Sequence, residues 1–115
     1  MQLRKNLVKI ACAFVSVICL SVPALSNEVD CPKLLYNHGL ASSAQFNCGF
    51  EFYNDNVITQ ARQCMAAADE YGESNRLSEA LASGLKDFNA EYEATDGKHN
   101  LCVDFAENHP SFVHP

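Results

Sequence analysis

Four cysteines, Cys31, Cys48, Cys64 and Cys102, constrain this chain more than any other feature, and they stand 17, 16 and 38 residues apart. They follow an N-terminal segment of different character. Arg4, Lys5 and Lys9 precede an uncharged apolar run from Ile10 to Val22, and Pro23-Ala24-Leu25-Ser26-Asn27 comes next. A membrane-spanning helix needs roughly 20 apolar residues. The 13 found here fit the apolar centre of a secretory signal peptide better than an uncleaved anchor. Ala24 and Ser26 are the small residues expected three and one before a cleavage site, which predicts a cut between Ser26 and Asn27, with a cut after Ala24 as the alternative. Ile18 before Cys19 and Asp30 before Cys31 do not suit a lipid-bearing cysteine. The reading is therefore a signal peptide over 1–26 and a single domain over 27–115.

Cys12 and Cys19 belong to the leader. The four cysteines beyond it are an even set in a short exported chain, and such sets form disulfides. Zinc ligands usually come as close pairs two to four residues apart, and these spacings provide none. Three of the eight basic residues also belong to the leader, which leaves five against all 14 acids, a formal net charge of −9 over 89 residues. A chain this acidic is repelled by phosphate backbones and gains nothing from an anionic membrane surface. The expectation is no nucleic acid, no stable membrane insertion once the signal is removed, and attraction to a basic protein surface.

Beyond the leader the pattern is helical. Asp30 is placed to cap a first helix, with Pro32 in its first turn, where a missing N–H costs nothing. Leu34, Leu35, His38, Ala41, Gln45, Cys48 and Phe52 follow at helical spacing, and Phe46, Phe50 and Tyr53 form a neighbouring stripe. Gly39 and Ser42-Ser43 weaken its middle, so two short helices are an alternative to one. Asn54-Asp55-Asn56 reads as a turn and cap. Val57, Ile58, Ala61, Cys64, Met65, Ala68 and Tyr71 then hold a three-four spacing, stopped by Gly72 in the manner of a left-handed cap. Ser74 or Asn75 is expected to cap a third helix striped by Leu77, Leu81, Leu85, Phe88 and Tyr92. A short fourth helix is expected over 100–107, with an irregular tail after His109-Pro110. No segment alternates like a strand, so the fold class is all-α: a three- to four-helix up-down bundle.

That topology chooses a cysteine pairing. With short turns, Cys48 and Cys102 fall at one end of the bundle and Cys31 and Cys64 toward the other, favouring Cys31–Cys64 and Cys48–Cys102. The sequential pair Cys48–Cys64 would be offset by about four residues, roughly 6 Å along the axis, awkward for a bridge whose Cα atoms usually sit within about 7 Å.

No constellation points to catalysis. There is no Gly-x-Ser-x-Gly, and Ser83-Gly84 reads as a close-packing spot inside a helix. The expectation is no enzyme, no cofactor and no metal. Of the candidate ligands His38, His99, His109 and His114, no two are three or four residues apart; His109 and His114 could meet at one ion with Asp104 or Glu107, and tail histidines are more often unliganded. The pairs Asp69-Glu70, Glu91/Glu93 and Asp104/Glu107 fit solvated helix faces. The dense aromatic set Phe46, Phe50, Phe52 and Tyr53 reads first as core, with an exposed apolar partner or ligand surface as the functional alternative.

Size, export, acidity and a helical disulfide frame together resemble small bacterial envelope proteins, among them immunity proteins against secreted toxins, lysozyme-type inhibitors and acid-stress chaperones. The resemblance is one of class, and no motif matches residue by residue. It implies a non-enzymatic binding protein of the bacterial periplasm or extracellular space, with a basic protein as partner. The alternatives are a small-molecule or lipid carrier with a pocket lined by Phe46, Phe50, Phe88 and Phe105, a structural envelope protein without a discrete site, and, least favoured, a carboxylate hydrolase.

Overall fold

The computed structural model describes residues 29–115. The segment read as a signal peptide and its expected cleavage residues Ala24, Ser26 and Asn27 lie outside the described residues. Four helices carry the fold: α1 (Cys31–Cys48), α2 (Asp55–Glu70), α3 (Ser74–Ala94) and α4 (Lys98–Asn108). Two two-residue strands, β1 (Phe52–Tyr53) and β2 (Val113–His114), pair antiparallel.

Helix α1 starts as its residues dictate. The Asp30 carboxylate accepts from the Lys33 amide at 3.2 Å, and Pro32 lies in the first turn. The helix is continuous through Gly39, so the two-helix alternative does not hold. The reason lies 45 residues away, where α3 crosses α1 in backbone contact. A Cβ at Gly39 would stand 2.2 Å from the Leu81 carbonyl oxygen, and one at Gly84 would stand 2.1 Å from that of Tyr36. Glycine weakens an isolated helix by about 1 kcal/mol relative to alanine; here it permits an approach no other residue allows. Gly84 of the Ser83-Gly84 pair is thus a packing point, as its sequence suggests, while Ser83 is exposed.

Some local expectations need correction. Phe52 does not continue the α1 stripe, because Gly49 takes a left-handed conformation (φ 69°) and closes the helix at Cys48, its amide bonding the Gln45 carbonyl. The tail is not irregular: Val113 pairs with Tyr53 and His114 with Phe52. The Asn54 amide donates to the Phe112 carbonyl at 2.8 Å and its side chain to the Ser111 carbonyl at 2.9 Å. Val113, fully buried, anchors this return.

Helix α2 opens on Asn54, whose side chain accepts from the Asn56 amide, and ends before Gly72 at φ 70°. Val57, Ala61, Cys64 and Ala68 face inward as their spacing predicts. Tyr71 does not; it lies past the helix end and is exposed. Helix α3 begins at Ser74 itself, after Glu73, with no side-chain cap, and α4 extends the expected 100–107 segment at both ends.

The core has two halves, each beside a disulfide. Leu35, Ala61, Cys64, Ala68 and Leu77 pack near Cys31–Cys64, while Ala41, Ala44, Phe50, Phe88, Phe105 and Val113 pack near Cys48–Cys102. Both bridges are those expected from the up-down geometry, with Cα–Cα distances of 5.6 and 5.7 Å.

Candidate functional site

The site grows from the second half of the core. Phe88 on α3 and Phe105 on α4 are buried and meet edge to face, ring centroids 5.3 Å apart at 78°. Quadrupole attraction favours that geometry. His109, one turn beyond Phe105, stacks on the outer face of its ring at 4.1 Å. His109 Nδ1 lies 3.1 Å from the Phe105 carbonyl oxygen. A carbonyl only accepts, so a hydrogen bond at this contact requires the proton on Nδ1.

Above these rings lies a cleft of about 330 Å³ between α1, α3 and α4. Leu40, Phe88, Leu101 and Phe105 make its apolar floor, and Glu91 and Asp104 bring carboxylates to it from two helices. Both acids are exposed. A third carboxylate stands one turn before Glu91: Asp87 accepts a 2.6 Å hydrogen bond from the Tyr36 hydroxyl. That bond, with some burial and the negative charges of Asp87 and Glu91, raises the Tyr36 pKa above its ordinary value. The charges of Asp87 and Glu91 thus converge on one side of α1. The nearby cation Lys98 is engaged elsewhere, donating to the Thr95 carbonyl at 3.0 Å and lying 5.3 Å from the Tyr92 ring centroid.

An apolar floor with a carboxylate rim suits a cationic group on a hydrocarbon stem. The methylenes of a lysine or arginine lie along apolar surface while the charged head stays at its edge. Nothing in the cleft is placed as a nucleophile with a base beside it. Among the described residues no group of three or more His, Cys, Asp or Glu side chains is arranged to hold a metal ion.

The other sequence candidates disperse. His114 stacks on Phe52 at 5.2 Å, while His109 is occupied with Phe105, so the tail pair does not converge with Asp104 and Glu107 on one point. Of the aromatic four, Phe50 is buried and stacks on Phe105, Phe46 is 87% exposed, Phe52 is about half exposed in β1, and Tyr53 is half-buried against His38. They do not form one face. Phe50, Phe88 and Phe105 pack against one another, and Phe46 stands outside them.

Comparison with protein-family models, with curated proteins and with solved structures finds no match to this chain. The functional reading therefore rests on its own residues. The pairing of Glu91 with Asp104 was not legible in the sequence, where each reads as the solvated flank of a separate helix. The available signal was their adjacency to inward aromatics: Glu91 lies one turn after Phe88, and Asp104 directly precedes Phe105.

Proposed function

We propose that this chain is an exported, non-enzymatic binding protein for a protein partner with a basic face, of the inhibitor, immunity or chaperone kind. The observation that carries the reading is the cleft of Leu40, Phe88 and Phe105 rimmed by Glu91 and Asp104, on a scaffold whose formal charge beyond the predicted leader is −9. Complementary charge speeds encounter and selects the partner, and burial of a basic side chain's stem on the ring floor adds affinity. Two disulfides support an oxidising compartment, and no helix among the described residues is long and apolar enough to cross a membrane. With the predicted leader, these favour the bacterial periplasm or the extracellular space. The test is capture on the immobilised, oxidised protein from cell-envelope extracts at low and high salt. One basic protein, retained at low salt and released at high salt, is the expected result; retention indifferent to salt rejects the electrostatic reading.

A second reading rests on a different hollow. Cys48, Phe50, Cys102, Val103 and Ala106 wall a depression of about 340 Å³ with His99 and Glu107 among its lining residues. Its volume is within the range of small-ligand sites, about 300–1,000 Å³. It supports a carrier of a small, mainly apolar molecule. An apolar molecule that copurifies and is displaced by Val103→Trp favours this reading, and a ligand-free native mass spectrum counts against it.

A further inference from the structure

His109 is the one residue lining the Glu91–Asp104 cleft whose side chain can itself become a cation. It is half-buried at the end of α4, its ring stacked on that of Phe105 at 4.1 Å and set edge to face with that of Phe112 at 6.1 Å. Its backbone is pinned on both sides. The His109 amide donates to the Phe105 carbonyl at 2.9 Å, and its own carbonyl accepts from the amides of Phe112 and Val113 at 3.0 and 3.2 Å. The ring is therefore fixed at the cleft.

In its neutral state the ring has a single N–H, which the Phe105 carbonyl beside Nδ1 can accept. A second proton then goes to Nε2 and the ring becomes a cation. Histidine makes this change between about pH 5 and pH 8, whereas carboxylates ordinarily titrate near pH 4. The charged groups lining the cleft with it are Glu91 from α3 and Asp104 from α4; Leu40 from α1 and Phe112 from the tail bring none. Asp87, one turn before Glu91, is bonded to Tyr36. Glu107, on α4 itself, lines the hollow beside Cys48 and His99, and Lys98 stands at the start of α4 by Tyr92.

We propose that His109 is an internal competitor for the cleft, so that a basic partner is held near neutral pH and released on acidification. This rests on the reading of the cleft as the seat of a basic side chain. A space of 330 Å³ equals a sphere about 9 Å across, close to the Debye length of about 8 Å in physiological salt, so a charge on His109 is felt at the rim. With the ring neutral, both carboxylates are open to the partner's cation. With the ring protonated, part of their charge is already answered and the incoming cation meets a like charge. On the scale of an exposed charge pair, affinity falls about 1.5- to 5-fold. By linkage, a bound cation lowers the proton affinity of His109 by the same factor.

The test uses N-acetyl-lysine methylamide, one cation on a hydrocarbon stem, with the neutral norleucine analogue as its control. Each is titrated into the oxidised protein, well below its melting temperature, and followed by NMR at about pH 7.5 and about pH 5.5, a range in which histidine titrates. The expected result is a dissociation constant for the cation about 1.5- to 5-fold higher at the lower pH. Saturating probe should also move the His109 ring titration to lower pH, and leave those of His99 and His114, outside the cleft lining, in place. That readout uses the native chain and does not depend on a variant folding. His109→Gln, which cannot become a cation, should bind the probe equally at both pH values. His38→Gln, which alters a histidine held against Tyr53 outside the cleft lining, should keep the native response. Equal binding at both pH values in the native chain, a full response in His109→Gln, or a His109 titration that the probe leaves unmoved overturns the proposal while the cleft keeps its basic guest. A probe that does not bind, or that binds undiminished when Glu91→Gln and Asp104→Asn are combined, removes the reading of the cleft and this proposal with it.

Discussion

Two single residues show how tertiary context decides what a side chain does. A lone glycine inside a helical pattern looks the same whether it breaks the helix or admits a neighbour, and only its partner distinguishes the two. Gly84, beside Ser83, is legible as a packing point; Gly39 reads in the sequence only as a weak point of its helix, since nothing within a few residues of it announces Gly84. Replacing Gly84 with alanine gains up to about 1 kcal/mol of helix propensity. The added Cβ would meet the Tyr36 carbonyl at 2.1 Å, a backbone atom that cannot rotate away, so the helices must part. A net loss of about 1–3 kcal/mol is expected, read as a fall of about 4–8 °C in melting temperature per kcal/mol. Gly97→Ala, whose Cβ has nothing nearer than 3.8 Å, serves as the control and should stay within about 0.5 kcal/mol. His38 gives a pH dependence. Its Nδ1 lies 2.6 Å from the Tyr53 hydroxyl, and burial lowers its pKa from the ordinary 6.5. Burial is also the main influence on Tyr53, raising its pKa against a hydrogen bond with Ser42 that lowers it, so the phenol stays protonated and donates to neutral His38. Below pH 6.5 the unfolded chain takes up the imidazole proton before the folded one does. Stability therefore falls as pH drops through 6.5 toward the lower folded value and levels off beneath it. Thermal melts between pH 7.5 and pH 5, within the window where histidine titrates, should show this slope in the native chain and its loss in His38→Gln.

At the scale of elements, the strongly periodic segments were legible and the short ones were not. The inward stripe of α2 and its flanking Asn54 and Gly72 are written in consecutive residues, so spacing alone locates the helix. Two-residue strands are too short to display alternation, and β1 and β2 pair only because Gly49 ends α1 and buried Val113 returns the tail to it. The disulfides sit between these cases: no spacing encodes them, yet helix lengths and turn positions place Cys48 beside Cys102 and Cys31 beside Cys64. They close loops with sequence separations of 54 and 33 residues. In the chain-entropy model each such loop contributes about 4 kcal/mol, with the mechanism model-dependent. The two loops share residues 48–64, so their contributions do not simply add. Small domains have about 5–15 kcal/mol in all, and loss of one bridge removes a large share. Cys48→Ser is expected to lower the urea midpoint sharply or to leave the chain unfolded at 37 °C, and an unchanged midpoint would show that packing around Phe88 and Phe105 suffices without the bridge.

At the scale of the whole molecule, the acid excess was plain in the composition, but its focus was not. The acids are spread along α2, α3 and α4, and only the packing of α3 against α4 brings Glu91 and Asp104 to one cleft over Phe88 and Phe105. This separates two electrostatic contributions. Long-range attraction depends on the summed charge, so any lost carboxylate slows association with a basic partner slightly, and salt removes the effect. Local pairing depends on position, so only the cleft acids should also change dissociation. An exposed ion pair contributes about 0.2–1 kcal/mol, which predicts a loss of affinity of about 1.5- to 5-fold for Glu91→Gln or for Asp104→Asn. Glu79→Gln, exposed on α3 and outside the cleft lining, removes the same unit of charge and should alter the association rate alone. With the captured basic partner, surface plasmon resonance at two ionic strengths separates these effects. Faster dissociation confined to Glu91→Gln and Asp104→Asn, with melting temperatures unchanged because both side chains are solvated, places the partner's cation in the cleft. Equal effects from all three variants would mean that the partner senses only net charge, and the cleft would then have no part in its recognition.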